Sequence, residues 1–269
     1  MMLAHRLAGS GNPTLVFVHG FTCDRSDWDA QFTALASRWR CLAVDLPGHG
    51  ATARPAAPAS IEACARAVNV TLTVLGLDDV VLIGHSMGCR VACEASRQAP
   101  GRVRGIVCID GSRVVGAGVL ERLRSQVAPP GGMEQFLAGF YRDFSVAATP
   151  AWVRELFEAR RAGIDIDHAR ELLLAFVRWD EEGASSALAA VRAPLLVLQT
   201  TALDASMRRV PIPAGATTPW LDLVRAQVPA AEFATLPGVG HFPMLEAPAA
   251  TTALIERFVA ALPERPGRH

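Results

Sequence analysis

The chain has 269 residues, 51% of them hydrophobic, and 26 basic side chains balanced by 26 acidic ones: enough material for a sizeable buried core and no net charge at pH 7. That balance excludes the electrostatic footprint of a nucleic-acid or acidic-membrane binder, and no apolar run reaches transmembrane length. Met1-Met2-Leu3-Ala4-His5-Arg6 lacks the apolar core of a secretory signal, so a cytoplasmic location is expected; the six cysteines, none in a Cys-x-x-Cys pair or at metal spacing with histidine, read as small core residues.

In chain order, the first strong strand spans residues 14–19 and ends in His19-Gly20-Phe21. A second spans 41–45 and leads into Asp45-Leu46-Pro47-Gly48-His49-Gly50, whose glycines and proline indicate turns. Ile61, Ala65, Val68, Leu72 and Leu75 step by four and three, which is one face of a helix. Strands at 80–83 and 103–109 follow, then a stretch from 112 to 190 with helical periodicity and no convincing strand. Its clearest helices are 134–144, 152–161 and 167–179, the last with Asp167 as candidate cap. A strand at 195–199 and a more polar one at 231–236 complete the series. The strands are continuously apolar rather than alternating, as in a sheet covered on both faces. Strand and helix in alternation predict an α/β fold with a mostly parallel central sheet flanked by helices. Residues 1–111 and 191–269 form its core, and 112–190 form a helical cap inserted before the strand at 195–199.

Chemistry concentrates in Gly84-His85-Ser86-Met87-Gly88, a G-x-S-x-G pattern set between a strand and a helix. A serine on such a sharp turn stands above the carboxyl edge of the sheet, and the Met87 N–H turns toward the same space. Its hydroxyl needs a base. Of seven histidines, His5 and His269 lie near the termini, His168 in the cap, and His85 on the far side of the turn from the serine. His49 reads as a turn residue and His19 as a structural hydrogen-bonding group. His241, in a glycine-flanked loop after the last strand, is the candidate base. Gly20 permits a tight turn that would aim the Phe21 N–H at the site, so Phe21 and Met87 make a candidate oxyanion hole.

These pieces, with Pro194-Leu195-Leu196-Val197-Leu198 and Gly238-Val239-Gly240-His241-Phe242, resemble the α/β-hydrolase superfamily in its capped, esterase-like branch. The resemblance implies Ser86 as nucleophile, His241 as general base, and an acid that fixes the His241 tautomer. For the acid, Asp204 in Gln199-Thr200-Thr201-Ala202-Leu203-Asp204 is preferred, although it comes one residue late and the segment from Ala205 to Trp220 is longer than the family pattern. Asp110, at the end of the preceding strand, is the alternative. A serine at the elbow disfavours the aspartate-dependent dehalogenase and epoxide-hydrolase chemistries. The expected activity is cofactor-independent, metal-free hydrolysis of an ester, lactone or thioester, or a C–C bond, in a mostly apolar small molecule. Alternatives are a ring-cleaving dioxygenase that uses the His-Asp pair without a cofactor, and a weakly catalytic ligand receptor. Trp28, Tyr141 and Trp179 are candidate substrate contacts. The partner is a small-molecule substrate, with no nucleic acid and no membrane; a homodimer stays open.

Overall fold

The apolar segments form strands where their composition places them. A computed structural model describes residues 1–204, 208–213 and 215–264. Its strands are β1 (His5–Ala8), β2 (Thr14–Val18), β3 (Cys41–Val44), β4 (Val80–His85), β5 (Val103–Ile109), β6 (Leu195–Gln199), β7 (Thr201–Leu203), β8 (Arg209–Pro211) and β9 (Glu232–Thr235). Seven of these form one sheet in the order β1-β3-β2-β4-β5-β6-β9, with every pairing parallel except β1 on β3. Every residue of β2, β3, β4 and β6 is buried, which requires cover on both faces of the sheet.

That cover comes from helices α1 (Asp29–Leu35), α2 (Ile61–Val74), α3 (Met87–Gln98), α9 (Pro219–Gln227), α10 (Pro243–Glu246) and α11 (Pro248–Ala261). Helix α2 packs on α3, and α1 packs on α11. Between β5 and β6 come α4 (Val119–Val127), α5 (Gly132–Asp143), α6 (Ala151–Arg161), α7 (Ile166–Glu182) and α8 (Ala184–Ala189), with no strand among them. The cap of α7 is Asp165, whose side chain accepts from His168 N, and not Asp167; the helix starts a residue earlier, and Asp167 pairs with Arg170 instead.

Two departures from the sequence expectation matter. Strand β1 is an edge strand with one neighbour, so its His-Arg-Leu-Ala sequence needs no apolar run, and Leu7 is exposed. Strands β7 and β8 pair as a small antiparallel sheet of their own, Leu203 opposite Arg209. They flank Asp204, and the return strand β8 brings Arg209 back toward the main sheet.

The helical insertion is fastened to the core by a buried ion pair. Arg90 of α3 donates to both Asp180 oxygens, Nε at 2.8 Å and Nη2 at 2.6 Å, and both side chains are almost fully buried. Arg90 Nη2 also donates to Ser112 O, and Val114 N donates to Asp180 Oδ2, so the start and end of the insertion meet at one point. Asp180→Ala leaves a buried guanidinium without its partner and is expected to cost about 3–5 kcal/mol of stability in urea denaturation. A loss of a few tenths would mean that water, not Asp180, solvates Arg90.

Candidate active site

Ser86 joins β4 directly to α3 with φ 53° and ψ −113°, a conformation that non-glycine residues rarely adopt. Holding it costs on the order of 1–3 kcal/mol, which the surrounding packing must supply. The flanking glycines make the turn possible. A Cβ at position 84 would lie 2.2 Å from Gly88 O, and one at position 88 would lie 2.3 Å from Val18 O. The chain closes on itself too tightly for any side chain there. The Gly20 backbone lies against the same turn, since a Cβ on it would sit 3.3 Å from Ser86 Cβ.

His241 enters from the loop after β9. Its Nδ1–H donates to Asp110 Oδ2 at 2.6 Å, in a pair whose side chains are 1% and 0% exposed. This fixes the tautomer and leaves Nε2 with the lone pair. Asp110 stands at the end of β5 with φ 45° and collects donors on both oxygens. Oδ1 accepts from Thr200 N at 2.9 Å, Thr201 N at 2.7 Å and Gln199 Nε2 at 3.0 Å. Oδ2 accepts, besides His241, from Thr201 Oγ1 at 2.6 Å and Arg209 Nη1 at 3.1 Å. Burial alone would raise the Asp110 pKa; the His241 hydrogen bond and the Arg209 charge outweigh it and hold the carboxyl at about 2. Burial, reinforced by Arg209, lowers His241 to about 4 against the pull of Asp110.

Of the two candidate acids, the geometry therefore favours Asp110. Asp204 is drawn instead to its neighbour: it accepts from Arg208 N at 3.0 Å and pairs with the Arg208 guanidinium at 3.0 Å. The β7–β8 pairing begins directly after β6, so Asp204 falls at the end of β7, across from Arg208 and Arg209. Among the described residues no hydrogen bond joins Ser86 Oγ to His241; such contacts are often long without a ligand and tighten in the complex. Met87 is the first residue of α3, so its N–H has no intrahelical acceptor. Phe21 lies in the Gly20 loop, where Cys23 N turns back to Gly20 O and Thr22 N is held by His49 Nε2.

The structure places all three candidate substrate contacts in buried positions. Trp28 is fully buried with its ring 5.3 Å from Phe17, in the core rather than at an open surface. Trp179 is likewise buried, packed against Gly183. Tyr141 is buried too, and its hydroxyl donates to Thr22 Oγ1 at 2.7 Å. The ring that meets the candidate base is Phe144, 4.8 Å from His241, in an aromatic group with Phe140 and Phe242. Phe21 packs between Phe140 and Phe176 of the insertion. A separate cavity of about 150 Å³ opens between the core loops and the insertion, lined by Thr22, Asp24, His49, Arg160 and His168 among others; neither Ser86 nor His241 lines it.

The other described histidines hydrogen-bond to backbone groups. His19 Nε2 accepts from Leu46 N and its Nδ1 donates to Gly20 O. His49 and His168 both donate to Pro47 O. His269 lies outside the described residues. His85 does more than its position suggested: its Nε2 donates to the His241 carbonyl at 2.8 Å, so the elbow helps hold the loop that carries the base. Arg209 was not visible as a site residue, because nothing in the sequence marks one arginine of a hairpin as buried. All six cysteines are free and buried.

A family model described as the alpha/beta hydrolase family matches residues 15–254. The pimeloyl-[acyl-carrier protein] methyl ester esterase of Nitrosomonas europaea is 28% identical over 267 residues, covering 92% of this chain and 96% of that protein. An uncharacterized protein of Mycobacterium tuberculosis is 34% identical over 111 residues, 41% of this chain. The chain thus spans about a third, 32%, of that relative's length. Among solved structures, a hydrolase from Pseudomonas aeruginosa superimposes with a TM-score of 0.77 and 26% identity, over 96% of this chain and 94% of the other. The match over nearly the whole chain, on a fold that carries the serine turn and the buried His-Asp pair, identifies this chain as a member of the alpha/beta hydrolase family.

Proposed function

We propose that the protein is a serine hydrolase that cleaves an ester, lactone or thioester of a mostly apolar small molecule, with C–C bond hydrolysis as a variant of the same chemistry. The observation that carries this reading is Ser86 on a strained strand-to-helix turn together with the buried His241–Asp110 pair, whose imidazole lies 4.6 Å from the ring of the adjoining His85. The methyl ester esterase relative supports the bond type, and the phenylalanines around His241 support an apolar acyl group.

His241 Nε2 takes the Ser86 proton as Oγ attacks the carbonyl carbon. The Phe21 and Met87 N–H groups receive the oxyanion, a role in which losing one donor costs about 10²–10³ in rate. Imidazolium returns the proton to the leaving group, the C–O or C–S bond breaks, and an acyl-serine remains. Water, deprotonated by His241, then releases the acid. Asp110 holds the imidazole and stabilises its charged form. Residues 112–190 serve as the cap that brings Phe140, Phe144 and Phe176 over the site. No metal or organic cofactor enters this sequence of steps.

The test is to quench turnover of a p-nitrophenyl ester with acid and map the acyl group by mass spectrometry. The acyl group is expected on Ser86, and turnover is expected to vanish in Ser86→Ala. A Ser86→Ala protein that turns over as the parent does would end the proposal. One observation favours a second reading: the acid lies at the Asp110 position, which the family resemblance also associates with cofactor-free dioxygenases. Under that reading His241 deprotonates a heterocyclic substrate, and activity is lost when oxygen is removed. Full anaerobic activity would exclude it.

A further inference from the structure

The β7–β8 pair places a cation inside the site. Arg209 is 8% exposed, and its Nη1 donates to Asp110 Oδ2 at 3.1 Å and to Thr201 Oγ1 at 2.8 Å. Its guanidinium also lies 5.7 Å from the centre of the Phe144 ring, and that ring faces His241. The arginine therefore grips the same carboxylate oxygen that His241 uses. A carboxylate shared in this way is immobilised, and part of its charge is spent on a neighbour other than the imidazole.

We propose, on the serine-hydrolase reading above, that Arg209 is a positioning residue: it pins Asp110 in place for His241 and keeps the imidazole neutral in mildly acidic solution. The charged and titratable groups around His241 are few. Asp110 comes from the end of β5, Arg209 from β8, His85 from β4, and Arg90 from α3, where Asp180 neutralises it. Glu246 is committed to the base loop itself, accepting from Gly240 N and Phe242 N. Among the described residues, Arg90 and the Cys89 thiol also lie near Arg209. Arg209 is thus, among the described residues, the arginine in direct contact with Asp110. Burial and Arg209 together lower His241 to about 4, which agrees with that placement.

The sign follows from the charges. Removing a cation beside an imidazole stabilises imidazolium, so the base becomes blocked by a proton at higher pH. The test measures kcat/KM for a p-nitrophenyl ester between pH 5.5 and 8 in the parent, Arg209→Gln and Arg209→Lys, with folding checked by circular dichroism at each pH. The parent is expected to stay flat down to pH 5.5. Arg209→Gln is expected to fall severalfold under its own plateau by pH 5.5, a partial shift because burial still lowers His241 without the arginine, with Arg209→Lys restoring the flat profile. A purely structural role would lower the plateau and leave the shape unchanged. A folded Arg209→Gln with the parent's profile overturns the proposal.

If Arg209→Gln does not fold, an NMR titration of the His241 ring in the parent decides, because a midpoint at the ordinary histidine value of about 6.5 also overturns it. The NMR measurement needs no substrate, so the inference and the hydrolase reading fail separately.

Discussion

Asp110→Asn is expected to lower kcat about 10⁴-fold, while Asp204→Asn leaves it unchanged. An asparagine at position 110 keeps the shape and reverses half of the chemistry. Its carboxamide NH₂ at the Oδ2 position would point a donor at His241 Nδ1, at Thr201 Oγ1 and at Arg209 Nη1, three groups that now donate to Oδ2. If the amide turns the other way, the NH₂ meets Thr200 N and Thr201 N instead, which are donors as well. Either way one face of the site is left unmatched, and the imidazole loses the acceptor that selects its tautomer. The substitution also strips a buried guanidinium of its counter-charge, a loss of about 3–5 kcal/mol when a buried pair is broken. Rates are therefore compared per folded molecule, by circular dichroism and by stoichiometric labelling of Ser86. Asp204 is held by its own neighbour Arg208. The reverse result, with Asp204→Asn inactive and Asp110→Asn active, would move the acid to the hairpin.

Why the sequence read His241 and Ser86 plainly but left the acid open has a physical cause. The elbow is a local device: two glycines, a serine and the change from strand to helix all lie within a few residues. The candidate base is nearly local: His241 stands in a glycine-flanked loop after the last strand, while the similarly flanked His49 sits in a proline-containing turn. The acid is defined by contact alone, across 131 residues of chain, and Cys108-Ile109-Asp110 and Ala202-Leu203-Asp204 look equally suited. What separates them is the backbone at Thr200 and Thr201, whose N–H groups converge on Asp110 once β6 lies beside β5. No composition or spacing records that convergence. The same holds for the β7–β8 pair, six described residues with an arginine and two prolines nearby, too short and too polar to show a period. The buried strands were legible because burial on both faces writes a continuous apolar run. The edge strand β1 was not, because one covered face demands little.

Between pH 6.5 and pH 4 the protein is expected to lose most of its stability, at roughly 4 kcal/mol per pH unit. Four of the buried histidines refuse a proton: burial lowers His19 to about 4, His49 to about 3 and His241 to about 4, and takes His85 well below 6.5. Each pKa is depressed in the folded state, so each contributes stability above the unfolded value of about 6.5 that is lost as pH falls toward the folded one. Asp27 acts oppositely, since burial raises it from 3.8 to about 6 and the folded protein takes its proton first. Four less one leaves about three protons taken up on unfolding near pH 5, each worth about 1.4 kcal/mol per pH unit. Against a total of roughly 5–15 kcal/mol, that slope ends the folded range within this window. Calorimetry at pH 7.5, 6 and 5, in buffers of different ionisation enthalpy, counts the protons directly. A Tm that is the same at pH 7.5 and pH 5 would mean that these histidines are already charged in the fold. If the slope is as expected, acid inactivation coincides with unfolding rather than preceding it, because the imidazole that does the chemistry is among those that resist the proton until the core opens.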